Sequence, residues 1–395
     1  MRSRAIAVAA ACAAFAVAMP ASAARVPACQ DIAFSPAFSR DRTMWCSESI
    51  ADDGAYVYRS TDAGRTWGPG VKVRSGDGQT FLARVIPSPL YATDRRVVVW
   101  TIEGLYESVD GGMTFGTVPV ADPKSEPVPY VETMGTGIRR AAFVYGFGGN
   151  GTYDTELGRR GVLGAPGYEA LRYLVPSSYP ESRTAVAIAT PSGVLADSNG
   201  NAVTPETTVA MRCEADFACA QKTYDFGRIF ANTNDDLGRP NQHFVSGIEF
   251  TRKPRGEVTL GKARVWRTND AGGSWTPWPS VERLLTVRPA NSKWVITGSP
   301  DGRHMFLSVT TVMKYGPHNN SYSDDTVSAS LWRSDDDGST WHRMPVPWAR
   351  PPGLHPVRLT AQSGNRLYAT GSRPGFTGMF CSLDNGRTWR TGTCR

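Results

Sequence analysis

A carboxylate that recurs at fixed spacing can ligate a cation, share acid–base work with a second acid, or accept hydrogen bonds from a turn. Five aspartates of this chain, Asp62, Asp110, Asp270, Asp336 and Asp384, recur inside one eight-residue pattern, Ser/Thr-x-Asp-x-Gly-x-Thr/Ser-Trp/Phe. The copies are Ser60–Trp67 (STDAGRTW), Ser108–Phe115 (SVDGGMTF), Thr268–Trp275 (TNDAGGSW), Ser334–Trp341 (SDDDGSTW) and Ser382–Trp389 (SLDNGRTW). The company each aspartate keeps decides among the three chemistries. A glycine two residues on (Gly64, Gly112, Gly272, Gly338, Gly386) supplies a positive φ that other residues resist. The aspartate can accept from the N–H groups of its own turn, and the Ser/Thr hydroxyls can satisfy more of that backbone. The closing aromatic (Trp67, Phe115, Trp275, Trp341, Trp389) stands in strand-like sequence and is expected to pack on a sheet face. Each copy also follows a strand-like run ending Val57-Tyr58, Leu105-Tyr106, Val265-Trp266, Leu331-Trp332 or Met379-Phe380. The aspartates therefore read as turn staples, not catalytic groups or calcium ligands. Asp335-Asp336-Asp337 imitates a calcium loop, but Asp336 is a turn position and its neighbours are expected to face solvent.

Other chemistry is sparse. The histidines (His243, His304, His318, His342, His355) show no metal spacing such as His-Glu-x-x-His. No Gly-x-Ser-x-Gly elbow and no phosphate-binding glycine loop is present. No cofactor, metal or catalytic residue is assigned. Glu249 and Asp154 are carboxylates available to a glycoside-cleaving pair, without further support.

The octapeptides resemble the Asp-box, or BNR, repeat. The resemblance covers five short segments and implies a β-propeller in which each box joins the third and fourth strands of a blade, on the rim away from the usual ligand face. Sialidases share that propeller. Their Arg-Ile-Pro motif precedes the first box, whereas here the nearest string, Arg84-Val85-Ile86-Pro87, carries an insertion and follows it. A sialidase triad is therefore not assigned.

The elements that carry these turns follow from spacing. Successive box aspartates lie 48, 160, 66 and 48 residues apart. A four-stranded blade takes roughly 40–50 residues, so the long gap holds about two blades without an intact box. The expectation is an all-β, single β-propeller of about seven (six to seven) four-stranded blades. A second repeat precedes some boxes: Phe34–Trp45 (FSPAFSRDRTMW) and Ile86–Trp100 (IPSPLYATDRRVVVW) share Ser-Pro, then Asp-Arg, then a β-rich run. A third version starts at Val175, and in its alignment Asp197–Val203 reads as a decayed box. Tyr145–Leu163, Ala231–His243 and Thr311–Asp325 are polar, irregular stretches and the candidate ligand surface, because propeller function sits on loops. With them go His318 and the proline-flanked Trp278 and Trp348, read as exposed rings for sugar stacking.

Residues 1–24 read as a secretory signal: Arg2 and Arg4, an apolar stretch from Ala5 to Met19, then Ala21-Ser22-Ala23. Residues 25–395 then form one propeller domain. The stretch is short for the ~20 residues of a membrane span, so no stable membrane insertion is expected. Six cysteines remain (Cys29, Cys46, Cys213, Cys219, Cys381, Cys394), an even number suited to disulfides in an exported chain. Proximity suggests the pairs 29–46, 213–219 and 381–394. The net charge is +7, or +5 without Arg2 and Arg4, with basic pairs scattered. Nucleic acid is not expected as a partner; weak attraction to anionic polymers is the functional alternative to a solvated surface. The reading is a secreted, monomeric, non-catalytic propeller that recognises a protein or a glycan at the cell envelope or outside the cell. A sialidase-like glycoside hydrolase and an assembly factor docking on a protein complex are the alternatives.

Overall fold

The chain is seen in a computed structural model. It describes residues 26–50, 53–75, 84–88, 91–101, 104–118, 131–134, 141–144, 151–154, 159–162, 168–174, 185–191, 207–213, 221–232, 242–252, 258–285, 292–299, 302–313, 325–346, 358–362, 365–373 and 376–394.

Among these residues, strands pair only with chain neighbours and make seven antiparallel four-stranded sheets. The first holds β1 Asp31–Phe34, β2 Met44–Ile50, β3 Gly54–Ser60 and β4 Val71–Ser75. The second holds β5 Arg84–Pro87, β6 Val97–Thr101, β7 Gly104–Ser108 and β8 Gly116–Val118. The third (β9 Val131–Met134, β10 Ala141–Val144, β11 Gly151–Asp154, β12 Arg159–Val162) and fourth (β13 Tyr168–Leu174, β14 Ala185–Pro191, β15 Thr208–Cys213, β16 Gln221–Gly227) fill the long interval between the second and third octapeptides. The fifth holds β17 Ile229–Asn232, β18 His243–Arg252, β19 Val258–Thr268 and β20 Thr276–Pro277. The sixth holds β21 Ser292–Gly298, β22 Met305–Met313, β23 Asp325–Ser334 and β24 His342–Met344. The seventh holds β25 Arg358–Gln362, β26 Arg366–Arg373, β27 Phe376–Ser382 and β28 Arg390–Thr391. Single helical turns α1 Phe38–Asp41 and α2 Tyr91–Asp94 link first to second strands, and α3 Pro279–Glu282 follows β20. All five octapeptides join the third and fourth strands of their sheets.

The sequence explains why sheets pack face to face. A strand with one wet face alternates apolar and polar residues. β6 does not: Val97, Val98 and Val99 are all buried. Consecutive burial means that both faces are covered. Alternation survives in which neighbour each face meets. Met44 and Cys46 of β2 pack with Tyr368, Met379 and Cys381 of the seventh sheet, while Trp45 between them packs with Val85, Tyr91 and Val97 of the second. On β18, Phe244 joins the core shared with the sixth sheet and Val245 the core shared with the fourth. Each such buried side chain contributes roughly 1.5–3 kcal/mol.

The first and seventh sheets share one core, so the chain's ends meet. Both described disulfides, Cys29–Cys46 and Cys381–Cys394, lie in that core. Cys394 also donates its N–H to Gly64 O at 3.2 Å, which pins the tail to the first octapeptide. Cys213 ends β15, and Cys219 lies outside the described residues. The decayed box read at 197–203 lies outside the described residues.

The repeated Ser-Pro…Asp-Arg element is the α1 or α2 turn. Ser35 Oγ donates to Asp41 Oδ2 at 2.6 Å and Ser88 Oγ to Asp94 Oδ2 at 2.6 Å. Asp41 and Asp94 then accept the N–H of Thr43 and Arg96, each at 2.9 Å. The arginine after each aspartate, Arg42 or Arg95, adopts a left-handed φ of 53° or 54°. Its carbonyl accepts the N–H of the fourth octapeptide residue: Ala63 to Arg42 O at 2.9 Å, Gly111 to Arg95 O at 2.8 Å. The two repeated motifs are thus docked on each other within one sheet.

Two stability measurements follow. Gly338 has φ +78° and a Cβ there would sit 2.3 Å from Trp278 Cζ2, whereas Gly302 has φ +73° and open space. Gly338→Ala is expected to cost about 2–4 kcal/mol in urea unfolding, from left-handed strain plus overpacking, and Gly302→Ala only about 1–2 kcal/mol from strain alone. Replacing Cys381 and Cys394 by Ser is expected to cost about 2–4 kcal/mol in urea unfolding, and reductant should lower the midpoint of the parent further than that of the variant, which has only Cys29–Cys46 of the two to lose.

Candidate functional site

The octapeptide carboxylates are fully engaged by their own turns. Asp62 Oδ1 accepts the N–H of Arg65 at 3.0 Å and of Thr66 at 2.9 Å, and Oδ2 accepts the Thr66 hydroxyl at 2.6 Å. Ser60 Oγ donates to Asp62 Oδ1 at 2.8 Å and accepts the Gly64 N–H at 2.8 Å. The seventh-position N–H and hydroxyl meet the carboxylate in the same way at Asp110, Asp270, Asp336 and Asp384. The fourth residue of every copy, as well as the glycine, is left-handed: Ala63, Gly111, Ala271, Asp337 and Asn385 have φ of 63°, 84°, 52°, 56° and 57°. Two successive left-handed residues turn several N–H groups inward, and the carboxylate gathers them.

These bonds shift ionisation. At Asp62, Asp110, Asp270 and Asp384 burial works against the charged form, and the hydroxyl and N–H donors overcome it, holding the carboxyl below its ordinary value. At Asp336 the Thr340 hydroxyl leads, followed by the Thr340 N–H, and the carboxyl is pulled down to about 2. Asp335 and Asp337, expected to face solvent, are half exposed but ion-paired. Asp335 meets Arg333 Nε and His304 Nδ1, each at 2.6 Å, and Asp337 meets Arg267 of the fifth sheet at 2.9 Å. Among the described residues no group of acids, cysteines or histidines could hold a metal ion.

Trp278 is a correction. It was expected to be exposed, yet it is 3% exposed. After β20 the backbone stays bonded to β19 through Trp278 N–H to Val265 O at 2.7 Å. The indole N–H reaches Gly338 O of the next sheet at 3.1 Å, and Arg267 covers the ring at 5.0 Å. The flanking prolines shape this return instead of presenting the ring to a sugar. Trp348 and His318 lie outside the described residues, as do 145–150, 155–158, 163, 233–241 and 314–324 of the three irregular stretches.

An open cleft of about 390 Å³ lies where β19 meets α3, lined by Gly261, Lys262, Ala263, Arg264, Pro279, Glu282 and Arg283. β20 is only two residues long, so it leaves this part of β19 to be covered by α3. Arg264 stands between two acids: Nε is 3.2 Å from Glu249 Oε1, without the alignment of a hydrogen bond, and Nη1 is 3.6 Å from Glu282 Oε2. Glu282 Oε1 also accepts the Val265 N–H at 3.0 Å, which fixes the helical turn to the strand. Hydrolysis of a glycosidic bond needs two acids facing the substrate across free space. Here a guanidinium fills that space, so the cleft is suited to electrostatic binding. The sequence offered Glu249 only as an available carboxylate beside Asp154, and nothing in it paired Glu249 with Arg264 or Glu282, which come together only through the β18–β19 register and the turn into α3.

Seven small antiparallel sheets in succession, with the first packed on the last, define the β-propeller class. No protein-family model and no curated protein sequence matches the chain. Solved structures do. The Kuenenia stuttgartiensis hydrazine synthase superposes with a TM-score of 0.52 at 13% identity, over 92% of this chain and 98% of that one. YCF48 bound to a D1 peptide gives 0.51 at 13% identity, over 89% and 91%. YCF48 from Cyanidioschyzon merolae gives 0.50 at 14% identity, over 91% and 95%. At such identities the likeness is one of fold, and the fold is a β-propeller. No helix among the described residues is long and apolar enough to cross a membrane.

The turn carboxylates make a pH prediction. Their folded-state values are depressed, so their ionised form stabilises the fold. That contribution is complete above the unfolded value near 4 and is lost as pH falls, for Asp336 through about 2. Urea midpoints should be flat from pH 7 to about 5 and fall steeply below about 4. Asp336→Asn should flatten part of the acid limb while lowering stability at pH 7.

Proposed function

We propose that the chain is an exported, single-domain, seven-bladed propeller of the Asp-box type that recognises a protein or glycan outside the cytoplasm without catalysis. Residues 1–24 serve as its signal segment and 25–395 as the propeller. The observation that carries the reading is the condition of the acids. The repeated aspartates are engaged by their own turns, and Arg264 bridges Glu282 of the cleft to the neighbouring Glu249. What remains accessible there is charge for binding, with Lys262 and Arg283 exposed on the cleft. Two disulfides at the closure suit an oxidising compartment.

The purified protein should be presented to a glycan array and, in parallel, to chromogenic glycosides that include sialosides. Binding without turnover is expected, weakened by Lys262→Ala combined with Arg283→Ala. Turnover that Glu249→Gln or Glu282→Gln abolishes would replace this reading with a glycoside hydrolase.

A further inference from the structure

Repeated sheets place equivalent positions at each junction, so the junctions can be compared. Strand register defines three of them: the residue before the second strand's pairing with the turn in the preceding sheet, the residue two before that pairing in the following sheet, and the sixth residue of the following sheet's octapeptide. Between the first and second sheets these are Thr43, Arg95 and Met113. Between the fifth and sixth they are Gln242, Arg303 and Ser339, and between the sixth and seventh His304, Asn365 and Arg387. Between the seventh and first they are Arg366, Arg42 and Arg65. Among the described junctions this closing one alone carries three guanidinium groups.

Hydrogen bonds join the backbone segments that carry the three. Ala63 N–H donates to Arg42 O at 2.9 Å, two residues from Arg65. The Tyr368 hydroxyl donates to Ala63 O at 3.3 Å, and Arg366 stands two residues before Tyr368 on the same face of β26. Three carboxylates of these two sheets accept hydrogen bonds within their own turns. Asp41 holds Ser35 and Thr43, and Asp62 and Asp384 hold their turns. Arg42 Nη1 is buried without a hydrogen-bond partner. The field is felt locally: burial first, then the Arg42 charge, holds the Arg366 guanidinium below its usual value. Burial pushes the Tyr368 phenol up to about 12 despite the three cations near it.

We propose that Arg42, Arg65 and Arg366 form an anion site at the closure of the ring, taking a doubly charged tetrahedral oxyanion, the phosphate or sulfate group of a ligand. Planar guanidinium forks match such oxygens two at a time, and three guanidinium groups at one junction favour a dianion over a single carboxylate. The site gives the recognition function its chemistry, and for its biological use it rests on that reading.

Calorimetric titration of the purified protein with sodium sulfate and with phosphate, at fixed ionic strength, tests the site. Saturable binding is expected, with Arg65→Gln and Arg366→Gln each weakening it about tenfold or more. Arg387→Gln, at the matching position of the neighbouring junction, should leave it unchanged. Arg65 is exposed, so its variant should keep the parent's circular dichroism. Preference for sulfate over phosphate, or the reverse, supports the site and distinguishes the two ester sources. No saturable binding, equal binding by the Arg65 and Arg366 variants, or acetate binding as tightly as sulfate would overturn it. The titration uses no partner, so its failure leaves the partner screen standing, and an empty screen leaves this site standing.

Discussion

A tight turn pressed against a neighbouring sheet must hide its backbone without orphaning it. That constraint governs this molecule. Each octapeptide makes two successive left-handed residues, which point N–H groups into the turn, and the aspartate collects them. In three of the copies a carbonyl of the turn is then taken by an aromatic donor from the preceding sheet. Trp45 reaches Gly111 O at 3.1 Å, Trp278 reaches Gly338 O at 3.1 Å, and Tyr368 reaches Ala63 O at 3.3 Å. The glycine lets the ring approach, since a Cβ on Gly112 would meet the Trp45 indole at 2.7 Å. Aspartate, glycine and cross-sheet aromatic are one device, and it joins successive sheets.

The device has an electrostatic consequence. Five carboxylates are bonded by their own turns and held ionised. The surplus of arginine is left to act elsewhere. Where an acid is available the arginine pairs, as Arg264 does with Glu249 and Glu282, and Arg333 with Asp335. At the junction of first and last sheets three arginines stand near one another with no ion pair among the described residues. That junction is also unlike the others in chain connectivity, because its two sheets come from opposite ends of the sequence, and each end carries its own disulfide in the shared core.

Much of the local structure was legible. The Asp-x-Gly pattern named its hydrogen bonds, because those bonds close within a few residues. The Ser-Pro…Asp-Arg element was visible as a repeat, though not as the partner of the octapeptide, since the bond from Ala63 to Arg42 spans a strand pair. The left-handed fourth position was hidden because Ala63, Ala271, Asp337 and Asn385 carry no common residue type. Trp278 misled because proline on both sides suggests an exposed loop, whereas a carbonyl sixty residues on needed its N–H.

By itself, then, the sequence determined what depends on near neighbours: turns, strands buried on both faces, and cysteines close enough to bridge. The tertiary structure decided what depends on which surfaces meet. It assigned alternate residues of β2 and β26 to different interfaces, put Arg264 between two acids, and brought Arg366 beside Arg42 and Arg65. The physical reason is range. A turn's hydrogen bonds are encoded within eight residues, while a junction's charge depends on strand register and on sheets more than three hundred residues apart in the chain.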